Sequence, residues 1–230
     1  MVGISPDTKA ILWDMDGTIL HSFGILQTIC AELAQERGLV MPSTEVLVDH
    51  FHGSLNDSIE GAFGGRLKDD SLEEFVQGFL DKQGDHYLDV EKHLIEDAVD
   101  LSYRAHKKGL QQAIVTNRSH QGRGNASPRA IVENTVLKNY IHHVIAGDDA
   151  GEFRKPHKNV VKELLESWDL EPAEVIVIGD QHVDAQLALN LGCRAILVLR
   201  DGAELAHAHK LDDAWQKHVE VVASLDEVMV

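Results

Sequence analysis

Five short apolar runs recur along the chain, and four of them stop at a polar cluster. Ala10–Trp13 precedes Asp14 and Asp16, Gln112–Val115 precedes Thr116 and Asn117, Val144–Ala146 precedes Asp148 and Asp149, and Val175–Ile178 precedes Gly179 and Asp180. Ala195–Leu199 is the fifth run, and Val219–Val222 adds an edge-strand candidate. Such short, unalternating runs fit strands buried on both faces. Helical patterns separate them. Glu91–Lys108 sets Leu94, Ile95, Ala98, Leu101 and Ala105 on one face. Pro128–Leu137 follows Ser127, a good N-cap with proline at the first helical position. Asn159–Trp168 carries Val160, Val161, Leu164 and Leu165, and Asp184–Leu191 stops at Gly192, a C-cap signal. Strands alternating with helices dictate an α/β fold with a parallel, doubly wound, Rossmann-like sheet. Ligands of such sheets bind beyond the carboxyl ends of the strands, where these polar clusters fall.

One stretch breaks the alternation. From His21 to Lys92 no strand pattern occurs, while Ile25–Arg37, Thr44–His50, Leu55–Phe63 and Leu72–Gln83 are helical. A connection of roughly seventy residues is too long for a simple crossover. The expected organisation is a core of residues 1–20 and 93–230 with a helical subdomain of residues 21–92 lying over the sheet's carboxyl edge.

The net charge of −17 opposes a nucleic-acid backbone or an anionic membrane as partner. It also repels a phosphate ester at long range, so local cations or a metal must overcome the field. No apolar run approaches the ~20 residues that span a bilayer. Residues 1–9 lack a basic segment leading into an apolar one, so no secretory signal is expected. Two cysteines without metal-type spacing suit a reducing, cytoplasmic setting. The expected assembly is a monomer or homodimer. Of the 14 histidines, His86, His93, His106, His207, His209 and His218 fall in polar helical stretches and are expected on the surface.

Asp14-Met15-Asp16-Gly17-Thr18, Val115-Thr116-Asn117, Lys155-Pro156 and Ile178-Gly179-Asp180-Gln181-His182-Val183-Asp184 stand in this order over most of the chain. The set resembles the haloacid dehalogenase superfamily, in particular its phosphatase-like members, and the helical insertion resembles that family's cap. Phosphoglycolate phosphatase and β-phosphoglucomutase share the layout. Four ordered motifs are specific for the superfamily and weak for the substrate.

The resemblance implies phosphoryl transfer, which runs on positioning and charge neutralisation. Asp14 is the implied nucleophile, forming an aspartyl-phosphate. Asp16 is the implied general acid and base. Mg²⁺ is the implied cofactor, held by Asp14, the backbone carbonyl of Asp16 and Asp180, with Asp184 in support. Thr116 and Lys155 complete the catalytic set. Gly17, Thr18, Asn117 and Arg118 are implied to touch the substrate, although Thr18 is equally suited to stabilising its turn. His52, in the His50–Ser54 loop, matches loosely the cap turn that selects the substrate. Asp148 and Asp149 either orient Lys155 or cap a turn, and His182 either reaches the metal rim or lies in solvent. The helix before the second strand lacks the family's Pro-Gly turn, having Ile95-Glu96-Asp97 instead, which leaves the second connector to the cap undefined.

Asp16 bears on the reaction. Dehalogenase and phosphonate-cleaving members lack that acid, and residues 21–53 contain no lysine for a Schiff base. Hydrolysis of a small phosphorylated metabolite is the reading that results. The alternatives are a β-phosphoglucomutase-like transferase and a non-catalytic binding protein on the same fold.

Overall fold

A computed structural model of the protein describes residues 1–51, 54–64, 67, 72–121, 124–200 and 213–230. The strands are β1 (Val2–Gly3), β2 (Ala10–Trp13), β3 (Gln111–Val115), β4 (His143–Ile145), β5 (Val175–Gly179), β6 (Arg194–Val198), β7 (Val219–Val222) and β8 (Val228–Met229). The α-helices are α1 (Phe23–Glu36), α2 (Thr44–His50), α3 (Leu55–Phe63), α4 (Leu72–His86), α5 (Glu96–Lys107), α6 (Pro128–Glu133), α7 (Lys162–Trp168), α8 (His182–Leu191) and α9 (Asp213–His218). Six strands form one parallel sheet in the order β4-β3-β2-β5-β6-β7, and β1 pairs with β8 apart from it.

The strand order reverses beside β2, whose neighbours are β3 and β5. The carboxyl ends of these three strands therefore meet at the switch point of the sheet. Both sheet faces are covered, which is why the strands carry no polar alternation. Ile11, Trp13, Ile114, Ile176 and Ile178 pack on the α5 and α6 side. Leu12, Ala113, Val115, Val175 and Val177 pack on the α7 and α8 side. The apolar β2–β3 pair hides one polar knot: Trp13 Nε1 donates to Gln112 Oε1 at 3.0 Å, and Ser102 Oγ donates to the same oxygen at 2.9 Å. Each group has its partner, so burial costs little.

Helices α1 to α4 enclose a third apolar core of Ile29, Leu33, Leu47, Ile59, Phe63 and Phe75, with Phe63 and Phe75 rings 4.6 Å apart. Ser43 and Ser54 cap α2 and α3 by accepting from Val46 N and Asp57 N. Ser127 caps α6 with Pro128 behind it, and Gly192 ends α8 at φ 83°. This is a helical cap inserted between the first and second strands of the large sheet.

Two expected helices are shorter than their patterns. The Glu91–Lys108 pattern yields a 3-10 turn at Val90–His93, an extended Leu94 and Ile95, and then α5. The break has a tertiary cause. Leu94 bridges antiparallel to Leu20, Ile95 N donates to Ile19 O at 2.8 Å, and His21 N donates to His93 O at 2.8 Å. The two chains joining cap to core thus pair with each other, which defines the second connector. The Pro128–Leu137 pattern divides because Thr135 Oγ1 bonds back to Ile131 O at 2.8 Å and caps a 3-10 turn at Val136–Asn139. His93 also departs from expectation: it is half-buried, its ring 5.7 Å from that of Tyr87. His207 and His209 lie outside the described residues. Among the described residues, no helix is long and apolar enough to cross a membrane.

Candidate active site

Asp14 leaves β2 with its backbone N–H still bonded to Ile178 O of β5 at 2.8 Å. Thr116 leaves β3, and Asp180 leaves β5. Lys155 comes from the loop before α7, and its buried Nζ sits between two carboxylates, Asp14 and Asp184, the latter at 2.7 Å. The carboxylates of Asp14, Asp180 and Asp184 lie within 4.8 Å of one another. One lysine thus faces three buried or half-buried acids. Burial, then the neighbouring carboxylates against the pull of Lys155, lifts Asp14 to about 7. Burial, with Asp14 and Asp184 beside it, likewise holds Asp180 well above the usual carboxylate range. Burial pushes Lys155 the other way, but its two carboxylates outweigh it and keep the amine charged. A cluster short of positive charge, built of hard oxygen donors, fits a divalent cation.

Two glycines make the close packing possible. Gly17 has φ 83°, and a Cβ there would collide with the Asp180 carboxylate. A Cβ on Gly179 would collide with Asp184. Above the carboxylates opens a cleft of about 850 Å³ between the sheet edge and helices α1, α2 and α4.

The family model for haloacid dehalogenase-like hydrolases matches residues 11–198, most of the chain and all four motifs. The chain belongs to that family. Among its relatives in the family, a phosphoglycolate phosphatase of Aliivibrio fischeri is 28% identical over 195 residues, covering 82% of this chain and 83% of its own. The pyrophosphatase PpaX of Bacillus cereus is 22% identical over 193 residues, covering 83% and 82%. The crystal structure of a predicted phosphoglycolate phosphatase from Haemophilus somnus 129PT shares the fold with a TM-score of 0.75 at 18% identity, covering 85% of this chain and 87% of that one. Within the haloacid dehalogenase-like hydrolases, the chain is of the phosphatase type.

Several residues assigned from the family motifs stand elsewhere than on a substrate. Thr18 is fully buried and donates to Asp180 Oδ1 at 3.1 Å, so it holds a carboxylate in place. Asn117 uses both ends of its amide on the Lys155 backbone, accepting from its N–H at 3.0 Å and donating to its carbonyl at 3.2 Å. Asp184 lies behind Lys155 and also accepts from Gln181 N at 3.1 Å. Arg118, expected to touch the substrate, clasps Asp16 instead. Its Nε donates to Asp16 Oδ2 at 3.0 Å, its second terminal nitrogen to Asp16 Oδ1 and, at 3.1 Å, to the Tyr87 hydroxyl, and its first to Ala126 O at 3.1 Å. Burial raises the Asp16 pKa, but Arg118 outweighs it and holds the carboxyl below the usual range. The Asp16 side chain is therefore turned from the metal-type cluster, while Thr116 is buried at the cleft floor and accepts from Arg118 N at 3.1 Å. His52 lies outside the described residues; Phe51 and Leu55 on either side of its loop line the cleft.

Asp148 and Asp149 do not orient Lys155. Asp148 holds the loop after β3 by accepting from His120 N at 2.9 Å, and Asp149 closes the turn after β4 by accepting from Ala146 N at 2.9 Å. His182 is exposed and packs on Trp215, ring centres 4.3 Å apart. Two residues at the cleft carried no sequence signal. Tyr87 is fully buried, with its ring 5.2 Å from the Arg118 guanidinium. Arg200 forks its guanidinium onto Asp97 at 2.6 and 2.8 Å.

Proposed function

We propose that the chain hydrolyses a small phosphorylated metabolite in two steps, using Asp14 as nucleophile and Mg²⁺ as cofactor. The observation that carries the reading is the cluster itself: Asp14, Asp180 and Asp184 around one buried lysine at the floor of a capped cleft. An Asp14 oxygen attacks phosphorus and the ester P–O bond breaks. Asp16, released from Arg118 and protonated, gives its proton to the leaving alcohol. Water then attacks the aspartyl-phosphate, Asp16 takes its proton, and the bond from phosphorus to the Asp14 oxygen breaks. The products are the alcohol and inorganic phosphate. Lys155 and the Thr116 hydroxyl, with the Gly17 and Thr18 amides, hold phosphate oxygens as charge develops on them. Asp14, Asp180 and the Asp16 carbonyl would hold Mg²⁺, with Asp184 steadying the set through Lys155. The metal supplies positive charge to the transferring group. The Arg118–Asp16 pair belongs to the resting site in this scheme.

The same reading assigns residues 21–92 to the cap and 1–20 with 93–230 to the core, in a cytoplasmic enzyme acting as a monomer or homodimer. The test is free-phosphate release from a panel of small phosphate esters, with Mg²⁺ and with a chelator. Metal-dependent release on a few members is expected. Release that ignores the chelator, or that survives intact in Asp14→Asn, rejects the scheme.

A further inference from the structure

The floor of the cleft is set by phosphate chemistry, but its outer half has a character of its own. Attack by Asp14 in line with the breaking bond sends the leaving group outward, against α1, α2 and α4. There the wall is apolar: Phe23 and Leu26 on α1, Val48 on α2, Phe51 beyond it, and Phe79 and Leu80 on α4. Helix α2 turns Glu45 and Asp49 to the same cleft on the face that carries Val48. The cations that line the cleft among the described residues are Arg118, Lys155 and Arg200, all from the core. Each is engaged: Arg118 with Asp16, Lys155 with Asp14 and Asp184, Arg200 with Asp97.

We infer that the substrate, within the hydrolase reading above, is the phosphate ester of an alcohol with an apolar, aromatic-sized body, whose far end carries no anion and favours an ammonium. Three observations converge on this. The cleft of about 850 Å³ is of the size that encloses a drug-like molecule, and a two-carbon leaving group would leave most of it to water. Apolar walls reward an apolar body by the surface it removes from water. A carboxylate or second phosphate would meet Glu45 and Asp49 inside a chain of net charge −17, and like charges brought together reject a ligand. An ammonium at the same place meets two opposite charges.

A matched series isolates the far end: benzyl phosphate, its 4-aminomethyl derivative and its 4-carboxy derivative, with 2-phosphoglycolate as the small anionic ester. With Mg²⁺ present, kcat/KM is expected to fall from aminomethyl to unsubstituted to carboxy, by roughly tenfold or more from first to last. 2-Phosphoglycolate is expected below benzyl phosphate. The double variant Glu45→Lys/Asp49→Lys, altered at two exposed positions, is expected to invert the order of the charged pair. A carboxy ester turned over as well as the aminomethyl one, or 2-phosphoglycolate above benzyl phosphate, overturns this inference and leaves the hydrolase reading standing. No release from any of the four overturns both.

Discussion

Replacing Asp14 by asparagine is expected to stabilise the metal-free protein while abolishing turnover. The structure supplies the magnitude. Asp14 is buried with Asp180 and Asp184 close by, and its pKa is raised from 3.8 to about 7. Each unit is about 1.4 kcal/mol, so an ionised Asp14 costs the fold roughly 4 kcal/mol at pH 8, with the attraction to Lys155 already counted. The sign follows from proton counts. Between about pH 4 and pH 7 the unfolded chain has lost the Asp14 proton while the folded chain keeps it, so stability falls as pH rises through that window. Asparagine keeps the shape, never ionises, and leaves Lys155 paired with Asp184. A gain of about 2–4 kcal/mol is expected at pH 8, shrinking toward zero near pH 4. Urea unfolding of parent and variant in chelator, at pH 4, 5, 6 and 8, reads the difference directly. Phosphate release should fall by at least about 10³-fold. A variant less stable than the parent at pH 8, or a gain that does not change with pH, refutes the picture of crowded carboxylates.

Lys155→Met strands Asp14 and Asp184 against each other in the interior and is expected to cost about 3–5 kcal/mol in chelator, seen as a lower urea midpoint. Mg²⁺ at a hundredfold excess over its Kd is expected to add about 3 kcal/mol to the parent at pH 8. Asp180→Asn should lose most of that gain, and an undiminished gain removes Asp180 from the ligand set. Arg118→Met removes the ion pair that holds the Asp16 pKa down, so the basic limb of the kcat/KM–pH profile is expected to move to higher pH in steady-state assays, and an unmoved limb removes Asp16 as the acid. Gly17→Ala forces a side chain into the Asp180 carboxylate at a positive φ and should reduce both Mg²⁺ stabilisation and kcat.

The sheet was legible because burial on both faces makes each strand an uninterrupted apolar run, and Ala10–Trp13 and Val219–Val222 match their strands residue for residue. The floor of the site was legible for a related reason: strand ends at a switch point bring distant motifs together, so Asp14, Thr116, Lys155 and Asp180 converge. What the sequence hid depends on pairings across long separations. The periodicity over Glu91–Lys108 says helix, but the bonds that join His93 to His21 and Ile95 to Ile19 override it. Thr18 and Asn117 have the chemistry to bind phosphate. Only their positions show Thr18 turned to Asp180 and Asn117 to the Lys155 backbone. Tyr87 and Arg200 act through partners 31 and 103 residues away, beyond the reach of any local pattern.

The paired connectors at Leu20 and Leu94 tie cap angle to chemistry. A domain hung on one strand can twist and slide, whereas two chains bonded side by side resist both and leave a single swing. The same Leu20 closes the turn that carries the acid, its carbonyl accepting from Gly17 N and its N–H donating to Met15 O, both at 2.9 Å. A rotation of the cap about this pairing would pull on that turn. In the proposed scheme, a cap that swings to let product out would carry the Asp16 turn with it, and release and proton transfer would share one mechanical coordinate.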